Sequence, residues 1–389
     1  MSEQTLRRLR LGIRDIDSEL VRLLGRRFRL VRKMGRLKHE LKMPIVDPAA
    51  EESVIGNYVT SAIDVGIDQD FARRIANLVI EGSVEVQTSM RPIGSAESQV
   101  AKVAVIGAGE MGSWFARFFK SRGDSVTVSD RDQRRARLLA SKIRVRWTSS
   151  NVEAVQGSDI VILATPANVV LNVVNEVLPA LKENALLVDI CAVKSAVMPA
   201  LRLAEKHGVQ IASIHPMFGP LASGLREKKV LVVRTGGRQR GSNKVKRILE
   251  GARILLTDPQ VHDRQTALTL ALPHFLNMAF AMTVSSRSVA KLREFAGRTF
   301  NLQMLLAETV ASEPETTADI QIMNKEFRVI LRDLQRVIRL LAETVNRHDR
   351  AELIAHYQRI RQRLSSDPEF ALAGEAFEKV CGAASIESE

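Results

Sequence analysis

Gly107, Gly109 and Gly112 close a short apolar run, Val103 to Ile106, and open a stretch with helical apolar spacing at Trp114, Phe115, Phe118 and Phe119. Strand, tight turn and helix in that order cradle a pyrophosphate. The first glycine permits the turn, the second lets the anion approach the backbone, and the third lets helix pack on strand. Glu110 and Met111 lie between the second and third glycines, at the start of the helix. A second run, Ser125 to Ser129, ends in Asp130, 18 residues past Gly112, where a carboxylate can accept both hydroxyls of an adenosine ribose. An empty glycine turn is the plainer alternative, and the spacing to Asp130 weighs against it. Asp130 would repel a 2'-phosphate, which favours NAD over NADP. Arg131 beside it can stack on adenine or tolerate that phosphate.

A second chemistry is written into the first 90 residues. Apolar side chains recur at 6, 9, 13, 16, 20 and 23, then at 30, 34, 37 and 41, the seam of one long helix. Arg27 stands where the pattern asks for an apolar residue. Lys38 lies about 20° round the helix from it and roughly 16 Å along the axis. Two cations leaning together can hold a small anionic ligand; two snorkelling surface cations are the alternative. Pro44, Asp47 and Pro48 break the helix, and Asp47 can cap the next, from about Pro48 to Thr60, with Glu51 in its first turn. A third helix spans about Phe71 to Ser89, where Ser83 and Gln87 share one face. Three such helices bury little alone, so a dimer sharing helices is expected to complete their core.

A third candidate is His215. Apolar runs at Ile160 to Ala164, Leu186 to Ile190, Val209 to Ile214, Val230 to Val233 and Ile254 to Leu256 alternate with helical stretches, which predicts a doubly wound sheet. Ligands of such sheets bind beyond the carboxyl ends of the strands, where Thr165-Pro166 and His215-Pro-Met-Phe-Gly-Pro220 stand. A histidine there suits acid-base work near neutral pH, or is a satisfied turn residue. From about Pro259 helical periodicity runs on, roughly over 260 to 290, 294 to 312, 315 to 346, 350 to 366 and 368 to 381, with a loose tail from Ala383. The domains expected are therefore 1–90 (all-helical), 91–101 (a polar linker), 102–258 (nucleotide-binding) and 259–389 (helical).

Composition excludes several classes. With 389 residues and 45% apolar content, the chain can bury sizeable cores. Two cysteines make neither a disulfide framework nor a zinc site, and the N-terminus lacks an apolar signal core, so a reduced, cytoplasmic protein is expected. The window Thr266 to Val284 is interrupted by Pro273, His274 and Asn277, which reads as a buried helix rather than a membrane span. The net charge of +13 is concentrated between Arg7 and Lys42, where thirteen basic residues face four acidic ones. With aromatics at only 4% there is no stacking platform for single-stranded nucleic acid.

Arg10, Arg27, Lys38, Asp47, Glu51, Ser83 and Gln87, with Leu-Lys-Met-Pro-Ile-Val-Asp-Pro and Ile-Glu-Gly-Ser-Val, resemble the all-helical, dimeric chorismate mutase family over residues 1 to 90. The resemblance implies that Arg27, with Arg10 from the partner chain, holds the substrate's carboxylates. It implies that Lys38 and Gln87 donate to the ether oxygen, and that Asp47 and Glu51 address the hydroxyl region. An arginine usual in that family is Ala50 here. His-Pro-Met-Phe-Gly-Pro, with Asp-Ile-Cys-Ala-Val-Lys-Ser (189–195) and Ala-Leu-Pro-His (271–274), resembles prephenate dehydrogenase from about Val103 to the mid-300s. That likeness implies a Rossmann domain followed by a helical dimerisation domain, with His215 as base, His274 in the pocket, and NAD as oxidant. A serine that orients the histidine is Ala192 here, with Ser195 as a stand-in; a carboxylate-binding arginine falls at Asn301, with Arg298 one turn away.

Together these imply a multidomain, bifunctional enzyme of tyrosine biosynthesis, a homodimer turning chorismate into prephenate and then 4-hydroxyphenylpyruvate, with no nucleic-acid or membrane partner. Arogenate or a β-hydroxy acid as substrate, or a non-catalytic dimerisation or nucleic-acid role for residues 1 to 90, are the rivals.

Overall fold

Asp47 and Pro48 divide the N-terminal segment into helices. In the computed structural model, which describes residues 3–41, 43–88, 100–236 and 240–383, α1 (Glu3–Glu40) is followed by α2 (Pro48–Asp64) and α3 (Gln69–Thr88). The Asp47 side chain accepts the Ala50 N–H at 3.2 Å, and Pro48 occupies the first helical turn, where its missing N–H costs nothing. α1 packs on α3, where Phe28 lies against Gly82, and Val31 of α1 is buried. A Cβ at Gly82 would lie 3.0 Å from the Phe28 ring, so glycine there lets the aromatic sit against α3. The seam read from the sequence faces elsewhere: Leu9, Ile13, Ile16 and Leu20 are 54–60% exposed, and Leu30 and Leu41 still more so. Most of the expected linker, together with the tail beyond Ala383, lies outside the described residues.

The eight-stranded sheet has the order β3-β2-β1-β4-β5-β6-β7-β8. Its strands are β1 (Lys102–Ile106), β2 (Ser125–Ser129), β3 (Arg146–Thr148), β4 (Ile160–Leu163), β5 (Leu186–Asp189), β6 (Gln210–Pro216), β7 (Lys229–Val233) and β8 (Arg253–Thr257). Strands β1 to β6 pair in parallel, and β7 runs antiparallel to β6. The central strands are apolar on both faces because helices cover both, among them α4 (Glu110–Ser121), α5 (Gln133–Ile143) and α6 (Asn151–Val155). β3 escaped the sequence reading: at three residues, with exposed Arg146 and Trp147, it carries no apolar run.

Beyond the sheet the remaining helices are α7 (Val170–Val177), α8 (Lys194–Lys206), α9 (Arg240–Ile248), α10 (Pro259–Thr266), α11 (Leu272–Ser285), α12 (Val289–Glu294), α13 (Arg298–Ala311), α14 (Pro314–Met323), α15 (Phe327–Asn346), α16 (Arg350–Leu364) and α17 (Ala373–Ala383). Two compact units result. One comprises Met1–Thr165, Asn172–Ile190 and Ala200–Leu256; the other comprises Pro166–Leu171, Cys191–Pro199 and Thr257–Glu389.

Three expectations in the second unit need correction. The helix expected over 260 to 290 is α10 and α11 joined by a π turn, Ala267–Ala271, and it ends at Ser285. Pro273 lacks the N–H that an α-helix needs there, and the wider turn absorbs the mismatch. The helix expected over 315 to 346 is broken, because Asn324 folds its side chain onto the Glu326 N–H at 3.1 Å and separates α14 from α15. The apolar stretch read as a buried helix is mostly uncovered: Pro259–Ser285 is long and apolar enough to cross a membrane by length and composition, yet only 17% of its apolar window is buried. Leu268, Leu276 and Met282 stand exposed on it.

Candidate active sites

Strand register assembles the nucleotide cradle. Ile106 pairs with Ser129 on one side and Leu163 on the other, so Gly107, Asp130 and Ala164-Thr165 leave the sheet side by side at its carboxyl edge, between the oppositely wound halves. Gly107 has φ +104°, and a Cβ there would lie 2.4 Å from the Ala164 carbonyl; a Cβ at Gly112 would lie 1.9 Å from the Gly107 carbonyl. Neither position admits a side chain. Gly109, the N-cap of α4, has nothing within 4 Å of a Cβ, which leaves its backbone open to an approaching anion. Asp130 accepts the Ala108 N–H at 2.6 Å and the Asp132 N–H at 2.7 Å. Each oxygen keeps a lone pair for a ribose hydroxyl. Glu110 and Met111 begin α4, and Thr165-Pro166 follow β4. The cradle fits a dinucleotide with free ribose hydroxyls.

The same register carries His215. Leu163, Asp189 and Ser213 continue the row across β4, β5 and β6, and His215 lies two residues beyond it, opposite Leu231 of β7. His215 therefore projects past the carboxyl edge on the same face as Ser213. It is buried, at 7% exposure. Ser213 donates to Asp189 Oδ2 at 2.8 Å, and both are completely buried.

The second unit holds His274 and Arg298. His274, one residue past Pro273, has a buried Nδ1 with no hydrogen-bond partner among the described residues, and burial lowers its pKa, favouring a neutral ring. Arg298 opens α13 and pairs with Glu378; Asn301, one turn on, has a buried Oδ1 without a described partner. Ala192 packs into the apolar cluster of Ala267, Ala271, Ile320 and Phe327.

Sequence reasoning missed Asp263. Its carboxylate accepts the Lys194 N–H at 2.9 Å and the Ser195 N–H at 2.8 Å, capping α8, while His262 Nδ1 stands 2.8 Å from Oδ1. Asn324 donates to the Asp263 carbonyl at 2.8 Å. Burial by itself would raise the Asp263 pKa, but the hydrogen bonds from His262, Ser195 and Lys194 outweigh it, and the pKa is lowered. The Ser195 hydroxyl is among those donors, so it is engaged on Asp263. A depressed folded-state pKa means that stability is present above the unfolded value and lost as pH falls through the folded one. Asp263→Asn is expected to cost about 2 kcal/mol at pH 7, the loss typical of a buried charged hydrogen-bonding group. The wild-type advantage in thermal midpoint should stay level down to pH 5 and erode only below about pH 4. Thermal melts of both proteins across that range check it.

In the helical domain the structure brings Arg27, Ser83 and Gln87 together. Arg27 donates to the Ser83 hydroxyl and, at 3.4 Å, to the Val79 carbonyl; Ser83 donates to Val79 at 2.5 Å. Gln87, 2% exposed, donates to the Ser83 carbonyl at 3.2 Å, and its Oε1 is buried with no described partner. A buried orphan acceptor costs about 1–3 kcal/mol. Lys38 donates to the Ile45 carbonyl at 2.8 Å, across the α1–α2 connection that ends in Asp47. Glu51 pairs with Arg226, at 2.8 Å, outside the helical domain. Arg10 is exposed on α1, roughly 25 Å along the helix from Arg27. One chain cannot bring those two arginines to one small ligand.

Comparison with known proteins agrees with both halves. Residues 9–88 match the family model for chorismate mutase type II. Residues 115–234 match that for the prephenate dehydrogenase nucleotide-binding domain, and residues 258–359 that for its dimerization domain. The T-protein of Haemophilus influenzae is 26% identical over 367 residues, 92% of each chain. A 4-amino-4-deoxyprephenate dehydrogenase of Streptomyces pristinaespiralis is 30% identical over 67% of this chain and 89% of its own length. A "probable arogenate/prephenate dehydrogenase" of Methanocaldococcus jannaschii is 31% identical over 64% of this chain, which spans 57% of that protein. Among solved structures, prephenate dehydrogenase from A. aeolicus superposes with a TM-score of 0.57 at 22% identity, covering 69% of this chain and 99% of its own. This chain is a member of the prephenate dehydrogenase family that carries a type II chorismate mutase domain ahead of its nucleotide-binding sheet.

Proposed function

We propose that the chain performs two successive reactions: it rearranges chorismate to prephenate, then oxidatively decarboxylates prephenate to 4-hydroxyphenylpyruvate with NAD, a step of tyrosine biosynthesis. The observation that carries this reading is the presence, in one chain, of the Arg27-Ser83-Gln87 cluster and of the Gly107-Asp130 cradle on the sheet edge that bears His215.

The first reaction needs no nucleophile. A Claisen rearrangement breaks one C–O bond as a C–C bond forms, and requires a compact dicarboxylate conformer with donors at the oxygen that gains charge. Arg27 binds one carboxylate and the partner subunit's Arg10 the other. Lys38 and the spare N–H of Gln87 serve the ether oxygen, while Asp47 and Glu51 address the ring hydroxyl and Ser83 holds Arg27 in place. The exposed α1 seam supports a homodimer in which helices are shared, as does the match to a dimerization domain.

In the second reaction His215 accepts the proton of the ring hydroxyl. Bound NAD supplies the acceptor for the hydride leaving the same carbon. Loss of the ring carboxyl as CO2 completes the aromatic ring and makes the step irreversible. Asp130 orients the adenosine ribose and excludes a 2'-phosphate, and neutral His274 and Arg298 recognise the substrate's polar groups. The chain works in the cytoplasm on small molecules, without a nucleic-acid or membrane partner.

Purified protein given chorismate and NAD should consume chorismate and form NADH, with 4-hydroxyphenylpyruvate as product. Loss of neither reactant would refute the reading. Subunit sharing has its own test. Arg10→Ala and Arg27→Ala chains should each be inactive on chorismate, whereas their co-expressed mixture should recover about a quarter of wild-type turnover, since half of random dimers are hybrids with one intact site. No recovery would remove Arg10 from the mutase site.

A further inference from the structure

Glu51 is held from outside its own domain. α2 contains neither lysine nor arginine, so the counter-charge must come from elsewhere in the chain. Arg226 Nη2 donates to Glu51 Oε2 at 2.8 Å, with the two side chains 33% and 20% exposed. Arg226 belongs to the segment between β6, the strand of His215, and β7, and that segment is fastened along its length. Trp114 Nε1 donates to the Ala222 carbonyl at 2.8 Å, and the Phe218 ring lies 4.9 Å from that of Trp114. Leu225 is buried, and the Lys228 N–H returns to the Leu225 carbonyl at 3.0 Å. The turn that carries the guanidinium is thus fixed on both sides of Arg226.

The other oxygen of Glu51 is the second observation. Oε1 is buried and has no hydrogen-bond partner among the described residues. One oxygen is anchored and the other is enclosed without a described partner, on a residue that lines a cavity of about 770 Å³ together with Arg226, Ile80 and Val84. A free glutamate side chain spreads over several rotamers, and ordering it costs up to about 2 kcal/mol. An anchored one has lost that freedom before substrate arrives.

We propose that Arg226 is a positioning residue for the mutase reaction: by clamping Glu51 Oε2 it fixes Oε1 for the substrate hydroxyl, so that the dehydrogenase portion of the chain supplies part of the mutase site. This rests on the reading of residues 1 to 90 as the mutase with Glu51 in its site. It also explains how α2 tolerates Ala50 beside Glu51: the cation at this turn arrives from the sheet domain.

The test uses the full-length chain and initial rates of chorismate consumption. Arg226→Ala should lower kcat/KM for chorismate about 10- to 100-fold, the range for losing a charge-assisted hydrogen bond. Arg226→Gln, which keeps the length but not the charge, should fall in the same direction, and Arg226→Lys should recover most of the loss. In a Glu51→Gln background, Arg226→Ala should add less than about threefold, because two residues acting through one contact are non-additive. A purely structural role would give multiplied effects in the double variant and no rescue by lysine, and either result overturns the proposal. So does chorismate turnover that is unchanged or faster in Arg226→Ala. If Glu51→Gln alone leaves turnover unchanged, the placing of Glu51 in the mutase site fails first; if Glu51→Gln is impaired and Arg226→Ala is not, the clamp alone fails.

Discussion

Arg27→Ala should all but eliminate chorismate consumption while NADH formation from supplied prephenate continues. The guanidinium is half-buried between α1 and α3, where it donates to Ser83 and Val79. A carboxylate brought there meets a cation already partly desolvated and aimed, so the contact is worth more than a surface ion pair. Removing one partner of such a pair costs about 2–5 kcal/mol, or roughly 30- to 4,000-fold in kcat/KM. Ser83 would lose a donor as well, so part of the loss is disorder at the Gln87 end of the cluster. Arg27→Lys separates the two contributions: it keeps the charge but cannot make two directed bonds, and should retain a small fraction of the rate. The undisturbed dehydrogenase serves as the internal control for folding. Chorismate turnover within threefold of wild type in Arg27→Ala would put the mutase site elsewhere.

How much of this was legible in the sequence depends on whether the signal was local. The glycines of the cradle and Asp130 were legible because strand, turn and helix impose fixed spacings on consecutive residues, and the register then had one way to place them. Ser83 and Gln87 were legible as neighbours on one helical face, and the structure adds Arg27 to them through a contact between α1 and α3. Asp263 was not legible. Its partners, Lys194 and Ser195 at the start of α8 and Asn324 at the break before α15, are distant in the chain, and no periodicity joins them. Arg226 was hidden for the same reason, as one cation among 57 basic residues whose significance is its reach to Glu51. The helix break at Asn324 shows a subtler failure. Glycine and proline announce a break, whereas Asn324 makes one by offering the backbone a side-chain acceptor, which sequence pattern does not separate from an ordinary exposed asparagine. The α10–α11 stretch errs in the opposite direction. Its apolar content was read as a buried helix, yet only 17% of the window is covered in the single chain, and a face shared with a second subunit carries the same composition.

His215→Asn should produce the reverse of the Arg27 phenotype: chorismate still disappears, prephenate accumulates, and NADH formation falls by about 10²–10⁴, the usual contribution of a positioned general base. The fold should survive the change. His215 is held opposite Leu231 by the pairing of its strand with β7, a backbone role that asparagine can keep. Asparagine is similar in length and can still meet a hydroxyl, but it cannot take the proton that must leave as the carbonyl forms. What remains in the variant is therefore binding without base catalysis: KM for prephenate should change by less than about threefold while kcat carries the loss. The pH profile gives an independent reading. In wild type, kcat/KM for prephenate should rise with pH as the catalytic base loses its proton, and in His215→Asn that limb should vanish, leaving a slow, pH-independent rate. A variant that keeps wild-type NADH production, or one that is slow but retains the same acid limb, would remove His215 from the base's role.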